Sequence, residues 1–190
     1  MGQLLELLGA SIIGGFIMLI ALALNMQISD SSREIFQSTY NQRSAITSTQ
    51  VIEYDLYKAG YAAAGEKIIQ ADSNAVKFRS DFDNNGTIDT IYYYTGATSA
   101  MTLTSNPNDK ELFRKINSQL PNLVSVITRF NIVYYDSIGN QLSYSSLSSS
   151  VQRAKIRGVR TYVKTELPDA INNLYNPMEW REIIRPKNLL

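Results

Sequence analysis

From Leu7 to Leu24 the chain reads LLGASIIGGFIMLIALAL, eighteen residues without a charge. At about 1.5 Å per helical residue the run spans about 27 Å, close to the hydrocarbon thickness of a bilayer. Asn25 and Met26 extend it to the polar Gln27. The pattern predicts a membrane-spanning helix. A signal peptide would show a basic start, a shorter apolar run and a small-residue cleavage site. Met1 to Glu6 contain no Lys or Arg.

From Ile28 to Lys58 there is no Gly and no Pro. At 100° per residue, Ile28, Ile35, Ile46 and Tyr57 fall on one line, with Phe36, Tyr40, Val51 and Tyr54 in an arc beside it. Arg33 and Arg43 interrupt that arc. The spacing predicts one long helix from about Gln3 to Tyr57, ending near Ala59-Gly60, with its outer end packed on a globular domain. The paired Gly14-Gly15 is the place where such a helix would break.

Beyond Gly60 the period shortens to two. Ala75 to Arg79 alternates, Asp81 to Gly86 turns, and Thr87 to Tyr94 returns as a second strand. Met101 to Thr104 and Glu111 to Ile116 are further strand candidates, separated by the turn Asn106 to Asp109. Val124 to Tyr135 is the strongest apolar run, turned back by Asp136 to Asn140. Ser143 to Ser150 reads as a loop, Ala154 to Lys164 as a final strand, and Pro168 to Leu190 as mostly irregular. The expected organisation is therefore a lipid-embedded or filament-core half-helix at 1–27, an outer half-helix at 28–60 and a β-rich head at 61–190. The fold class is α+β, a long N-terminal helix packed on an antiparallel β-sheet.

Composition narrows the chemistry. Lys and Arg number 18 against 17 Asp and Glu, a net charge of +1 that carries no nucleic-acid signal. The chain has no Cys, so disulfides, thiol catalysis and cysteine metal sites are excluded. It has no His, which removes the commonest general base and zinc ligand. With no glycine-rich phosphate loop either, an enzyme is not expected.

Two sets of residues stand out. Glu6 lies at the start of the apolar helix, where an unpaired carboxylate beside lipid is costly. It either meets an α-amino group of a neighbour or reaches interfacial water. Small residues four apart, Ala10 with Gly14 and Ser11 with Gly15, are either close-approach surfaces for other helices or ordinary membrane-helix composition. The second set is Asp81, Asp83, Asn85, the Thr87 carbonyl and Asp89, spaced as positions 1, 3, 5, 7 and 9 of a calcium loop with Gly86 at position 6. Position 12 is Tyr92 and not a bidentate Glu. The oxygen ligands suit Ca²⁺ better than zinc. A solvated turn is the alternative, because Asp, Asn and Gly favour turns in any case.

Several strings, in shared order over most of the chain, resemble one family. Gly2-Gln3-Leu4-Leu5-Glu6-Leu7-Leu8 is similar to the cleavage glycine, apolar stretch and membrane-edge glutamate of type IV pilin-like proteins. Asp55-Leu56-Tyr57-Lys58-Ala59-Gly60-Tyr61 resembles their helix-ending Asp-Leu-x-x-Ala-Gly-Tyr. Asp81 to Gly86, followed by Ile91-Tyr92-Tyr93, resembles their Asp-x-Asp-x-x-Gly hairpin. Leu112 to Lys115 and Phe130 to Asp136 fit their later strands. Ile184 to Leu189 resembles their Arg-Asn close, with Lys187 in the arginine's place. Within the group the chain is most like the J-type minor pseudopilins of type II secretion and the W-type minor pilins. It departs from the family in placing Glu6 fourth after Gly2, where the family has it fifth. It also lacks the basic leader and the kinking proline.

The resemblance implies a structural subunit. Such subunits wait in the inner membrane with the head outside the cytoplasm. An inner-membrane assembly platform then extracts them into a helical filament with copies of themselves or other pilins. It also implies that Gly2 is a processing site, that the chain begins at or near its processed terminus, and that Glu6 pairs with a neighbour's α-amino group. A membrane-anchored adhesin or scaffold that never polymerises is the rival expectation.

Overall fold

A computed structural model describes residues 2–102, 104–170 and 174–189. Helix α1 runs without interruption over Gly2–Tyr57, 56 residues. No break occurs at Gly14-Gly15, since a pair of glycines weakens a helix by only about 2 kcal/mol relative to alanines. Among the described residues eight strands follow: β1 Ile68–Ala71, β2 Ala75–Ser80, β3 Asp89–Thr95, β4 Lys110–Ile116, β5 Asn122–Ile127, β6 Arg129–Tyr135, β7 Gly158–Thr165 and β8 Met178–Ile184. A short helix, α2, occupies Ser150–Arg153. The fold is α+β, as the sequence pattern predicts.

The chain divides into two compact units, residues 1–40 and 41–190. In the first, residues 2–36 are all exposed apart from the half-buried Gly9. This helix is long and apolar enough to cross a membrane.

In the second unit the strands form two antiparallel sheets, not one. β1 to β5 lie side by side in sequence order, and β6-β7-β8 form a separate three-stranded sheet. The apolar-rich run Val124–Tyr135 is thus two strands in two sheets. Thr128 marks the crossing, where its N–H leaves the first ladder and donates to the Lys164 carbonyl on β7 at 2.8 Å. The two sheets are also joined where the Ile132 N–H donates to the Ser73 carbonyl, 2.8 Å away. Ile52 and Leu56 of α1 share one core with Phe78, Ile91, Tyr93, Leu112 and Ile127 of the larger sheet, and with Ile132, Tyr134, Val159 and Val163 of the smaller.

The last turns of α1 pack on a different face from the one its large apolar residues suggest. Buried are Ala45, Ser48, Thr49, Ile52, Asp55 and Leu56, an i, i+3, i+4, i+7 stripe. Ile46, Val51, Tyr54 and Tyr57 stay exposed. Small side chains let the helix sit close to β5, with Ser44 Oγ 3.3 Å from Ser125 Oγ and Ser48 Oγ donating to the Val124 carbonyl. The chain then turns out of the helix through Gly60, whose φ is +80°. A Cβ there would stand 2.9 Å from Lys67 Cδ and 3.2 Å from the Asn188 carbonyl oxygen, so backbone conformation and close approach both call for glycine.

Four local expectations change. Met101, Thr102 and Thr104 are not in a strand, and Leu103 lies outside the described residues. A 3₁₀ turn at Thr98–Ala100 takes up the Met101 N–H, and Ser105 and Asn106 donate to the Pro168 carbonyl, so no ladder is available. The serine-rich segment holds a 3₁₀ turn, Ser146–Ser148, and leads into α2. Ala154 and Ile156 donate back to Ser150 and Arg153, which delays β7 to Gly158. The C-terminal segment contains a strand, β8, paired along its length with β7.

Candidate functional site

Two regions carry the candidate residues. In the first, Gly2, Glu6, Ala10, Ser11, Gly14 and Gly15 lie on the uninterrupted, solvent-facing part of α1. Helical spacing places Glu6, Ala10 and Gly14 along one i, i+4 row, with Ser11 and Gly15 in the next. A Cβ added at Gly14 or Gly15 would meet nothing within 4 Å. The small-residue row is therefore an open notch. The Ser11 hydroxyl, which would be orphaned in lipid, donates to the Leu7 carbonyl one turn back, 2.8 Å away.

The second region is the connection between β2 and β3. Asp81 and Asp89 are buried and Asp83 is exposed, and one carboxylate oxygen of each lies within 4.8 Å of the others. The loop is shaped by its own backbone donors. Asp81 accepts the N–H groups of Asn85 at 3.1 Å and Gly86 at 3.0 Å. Asp83 accepts the Asn85 N–H at 3.2 Å and the Asn85 side-chain amide at 2.8 Å. Asp89 accepts the Asn117 amide at 2.7 Å and, more weakly, the Phe82 N–H at 3.4 Å. Asn84 and Gly86 have φ of 59° and 83°, the left-handed geometry that turns the chain here.

The structure thus brings together Asp81, Asp83 and Asp89 of the expected set. Asn85 lies between them, but its amide oxygen accepts the Thr87 N–H at 2.7 Å. Thr87 enters the site through that N–H. The three clustered carboxylates offer hard oxygen ligands with capacity left on each, which suits a calcium-type cation better than a soft metal.

The loop is tied to the end of α1. The Asp81 N–H donates to the Tyr61 carbonyl at 2.9 Å, and Lys58 Nζ donates to the Phe82 carbonyl at 2.9 Å. The same ammonium lies 5.0 Å from the Tyr54 ring centre and 5.5 Å from that of Phe82, within cation–π range.

A third group escaped sequence reasoning. Asp55, 1% exposed, receives the Tyr93 hydroxyl at 2.6 Å and the Arg114 guanidinium through Nε at 2.5 Å and Nη2 at 3.1 Å. Burial and then the Asp55 carboxylate push the Tyr93 hydroxyl well above the ordinary tyrosine pKa, so it stays a donor. The only sequence signal was Asp55 itself, on an otherwise small and apolar helical stripe.

No protein-family model, curated protein or solved structure matches the chain.

Proposed function

We propose that this protein is a structural subunit of a type IV pilus-like or type II secretion pseudopilus filament, and not an enzyme. The observation that supports this reading is helix α1. A single 56-residue helix carries Glu6 near its start, continues through exposed apolar residues with an open glycine notch, and supplies its last turns to the core of an α+β head. An anchor alone needs about 20 apolar residues. The further uninterrupted length, and a carboxylate at the lipid edge, are what a helix needs to pack in register against copies of itself. In lipid or in a helix bundle a lone carboxylate is unfavourable. Paired with a neighbour's α-amino group it becomes tolerable and sets the stagger between subunits.

In this reading the subunit rests in the inner membrane with its head outside the cytoplasm. An assembly platform then moves it into a filament on the cell surface or in the periplasm. Its partners are further copies of the chain or other pilins, and the bilayer before assembly. The acidic loop between β2 and β3 holds Ca²⁺, which stiffens the head beside the end of α1.

Electron microscopy of filaments from cells carrying Glu6→Ala tests the reading. The variant should insert in membranes normally and yield few filaments. Normal filament yield would overturn the pairing role. Intact wild-type protein that remains monomeric under every assembly condition would favour a membrane-anchored adhesin or scaffold.

A further inference from the structure

The five-stranded sheet has a second face. Val76 and Phe78 of β2, Ile91 and Tyr93 of β3 and Leu112 of β4 point into the core. Alternation then turns the charged Lys77, Arg79, Glu111 and Lys115 and the aromatic Tyr92, Tyr94 and Phe113 to the opposite side, where all are half-buried. Three cations share this face with one carboxylate, and among the described residues none of the three is paired with it or with any other. The net charge of +1 is a sum over the whole chain. Folding segregates it, setting Asp55 and Asp89 on the core side and leaving the outer side positive.

The rings on this face form a column. Tyr92 and Tyr94 stack with centres 4.7 Å apart and planes 23° apart, and Phe113 adds to Tyr94 at 5.4 Å. The register sets cations beside them. Tyr92 stands between Lys77 on β2 and Lys115 on β4, its direct partners in the two ladders. Lys77 Nζ lies 5.6 Å from the Tyr92 ring centre. Lys115 follows Phe113 by two residues, one strand repeat of about 6.6 Å along the same face. A groove of about 220 Å³ opens here, lined by Lys77, Thr90, Tyr92, Tyr94, Lys115 and Asn117. Its lining holds two ammonium groups and no carboxylate.

Cations without carboxylates beside a column of rings call for a ligand that carries both negative charge and flat rings. A polyanion without rings would use the lysines and leave the column in water. A puckered sugar lies flat on an isolated ring, whereas these rings are turned toward one another. An unpaired base extends such a column, since every base has a π-face, and its phosphates then reach the lysines. A duplex keeps its bases inside its own stack and offers the column nothing. We propose that the outer face of the five-stranded sheet binds single-stranded nucleic acid, with Lys77, Arg79 and Lys115 holding phosphates and the Tyr92–Tyr94–Phe113 column stacking on bases. The site goes beyond the filament reading and stands without assembly.

The test uses the full chain in non-ionic detergent and a fluorescein-labelled oligothymidylate, read by anisotropy over a range of salt concentrations. The logarithm of the binding constant should fall against the logarithm of salt with a slope of about −2, since each phosphate neutralised on a single strand contributes about −0.7. Lys77→Gln with Lys115→Gln should weaken binding at least about tenfold at low salt and flatten the slope to about −0.7. Lys77→Arg with Lys115→Arg should keep both the affinity and the slope. An abasic strand of the same length should bind about tenfold more weakly with the slope unchanged, because it loses stacking alone. Tyr94→Leu should reduce that preference for the strand with bases. The abasic arm reads the column without altering the protein, so a poorly folded Tyr94→Leu does not decide the matter. No binding at low salt would overturn the proposal, as would binding that the paired Gln substitutions leave unchanged. Equal affinity for the abasic strand, or for an acidic polysaccharide, would overturn it in favour of a face that takes any polyanion.

Discussion

The Tyr93 hydroxyl on β3 donates to Asp55 Oδ2 at 2.6 Å, joining the last turn of α1 to the central strand of the five-stranded sheet. Arg114 stands directly across from Tyr93 in the β3–β4 ladder and closes on the same carboxylate. A cross-strand pair thus holds one helical side chain from two sides. This orients the end of α1 on the sheet and places Lys58 and Tyr61, two turns at most beyond, where they hold the acidic loop.

Removing one member of this group leaves a buried charge behind. Arg114→Ala should destabilise the 41–190 unit by about 3–5 kcal/mol, the usual loss when a buried pair is broken on one side. Tyr93→Phe removes one hydrogen bond to a charged group and should lose about 1.5–3 kcal/mol. Urea denaturation followed by tyrosine fluorescence would rank the two. Equal stability of Arg114→Ala and wild type would show that Asp55 is satisfied in another way.

Calcium should stabilise the loop between β2 and β3. Asp81, Asp83 and Asp89 repel one another at their present spacing, and a cation relieves that repulsion. At a ligand concentration 100-fold over Kd, binding to the folded state alone adds about 2.7 kcal/mol. Millimolar Ca²⁺ should raise the melting temperature by several degrees and chelator should reverse it. Mg²⁺ should do less, because it demands a tighter octahedron and holds its waters. Asp81→Ala with Asp83→Ala should abolish the shift while the protein stays folded without the ion. A melting curve indifferent to Ca²⁺ would leave a turn satisfied by its own N–H groups.

The head should fold without the apolar half of α1. Among the described residues, every buried hydrophobic residue lies at Ala45 or beyond, and the main cluster begins at Ile52. A chain from Ile28 to Leu190 should therefore be soluble, show cooperative melting and native near-ultraviolet circular dichroism, and form no filaments. Aggregation or absence of tertiary signal would mean that the head depends on the first residues of the helix.

Two carboxylates should give stability opposite pH dependences. Burial raises the Asp109 pKa above its value in the unfolded chain, so the folded state holds that proton more tightly. Its contribution is full below about pH 4, the unfolded value, and is lost as pH rises through the folded one. Glu166 is the reverse. Burial opposes its charge, but the Asn106 amide and the Lys164 ammonium outweigh it and hold the pKa below the usual value. Its contribution is present above about pH 4.3 and is lost as pH falls through the folded pKa. Melting across pH should show Asp109→Asn removing a loss of stability on the alkaline side, and Glu166→Gln removing one on the acid side. If Asp109→Asn leaves the pH profile unchanged, Asp109 is not the group that titrates.

The long helix and the class of the fold were legible along the chain because both follow from local periodicity. Eighteen uncharged residues specify a helix in lipid whatever surrounds them, and the alternation at Ala75–Arg79 and Thr87–Tyr94 encodes a hairpin whose polar turn is written in Asp81 to Gly86. The clustering of Asp81, Asp83 and Asp89 was readable for the same reason, since one short loop carries all three. Elsewhere the decision was made by distant partners. Val124–Tyr135 reads as one run of alternating apolar residues interrupted by Thr128-Arg129, and that polar pair does not by itself tell a break from a solvent-facing step; the Lys164 carbonyl, 36 residues away, decides it. β8 forms because β7 offers it a ladder. The buried face of α1 is set by how closely Ala45, Ser48 and Thr49 approach the sheet, so helical hydrophobicity pointed to Ile46 and Tyr57, which stay outside. Asp55 and Asp109 are equally plain carboxylates in the sequence. Only folding gave the first Arg114 and Tyr93 and buried the second without an ion pair among the described residues, because a buried charge depends on groups that the chain brings near it from far along its length.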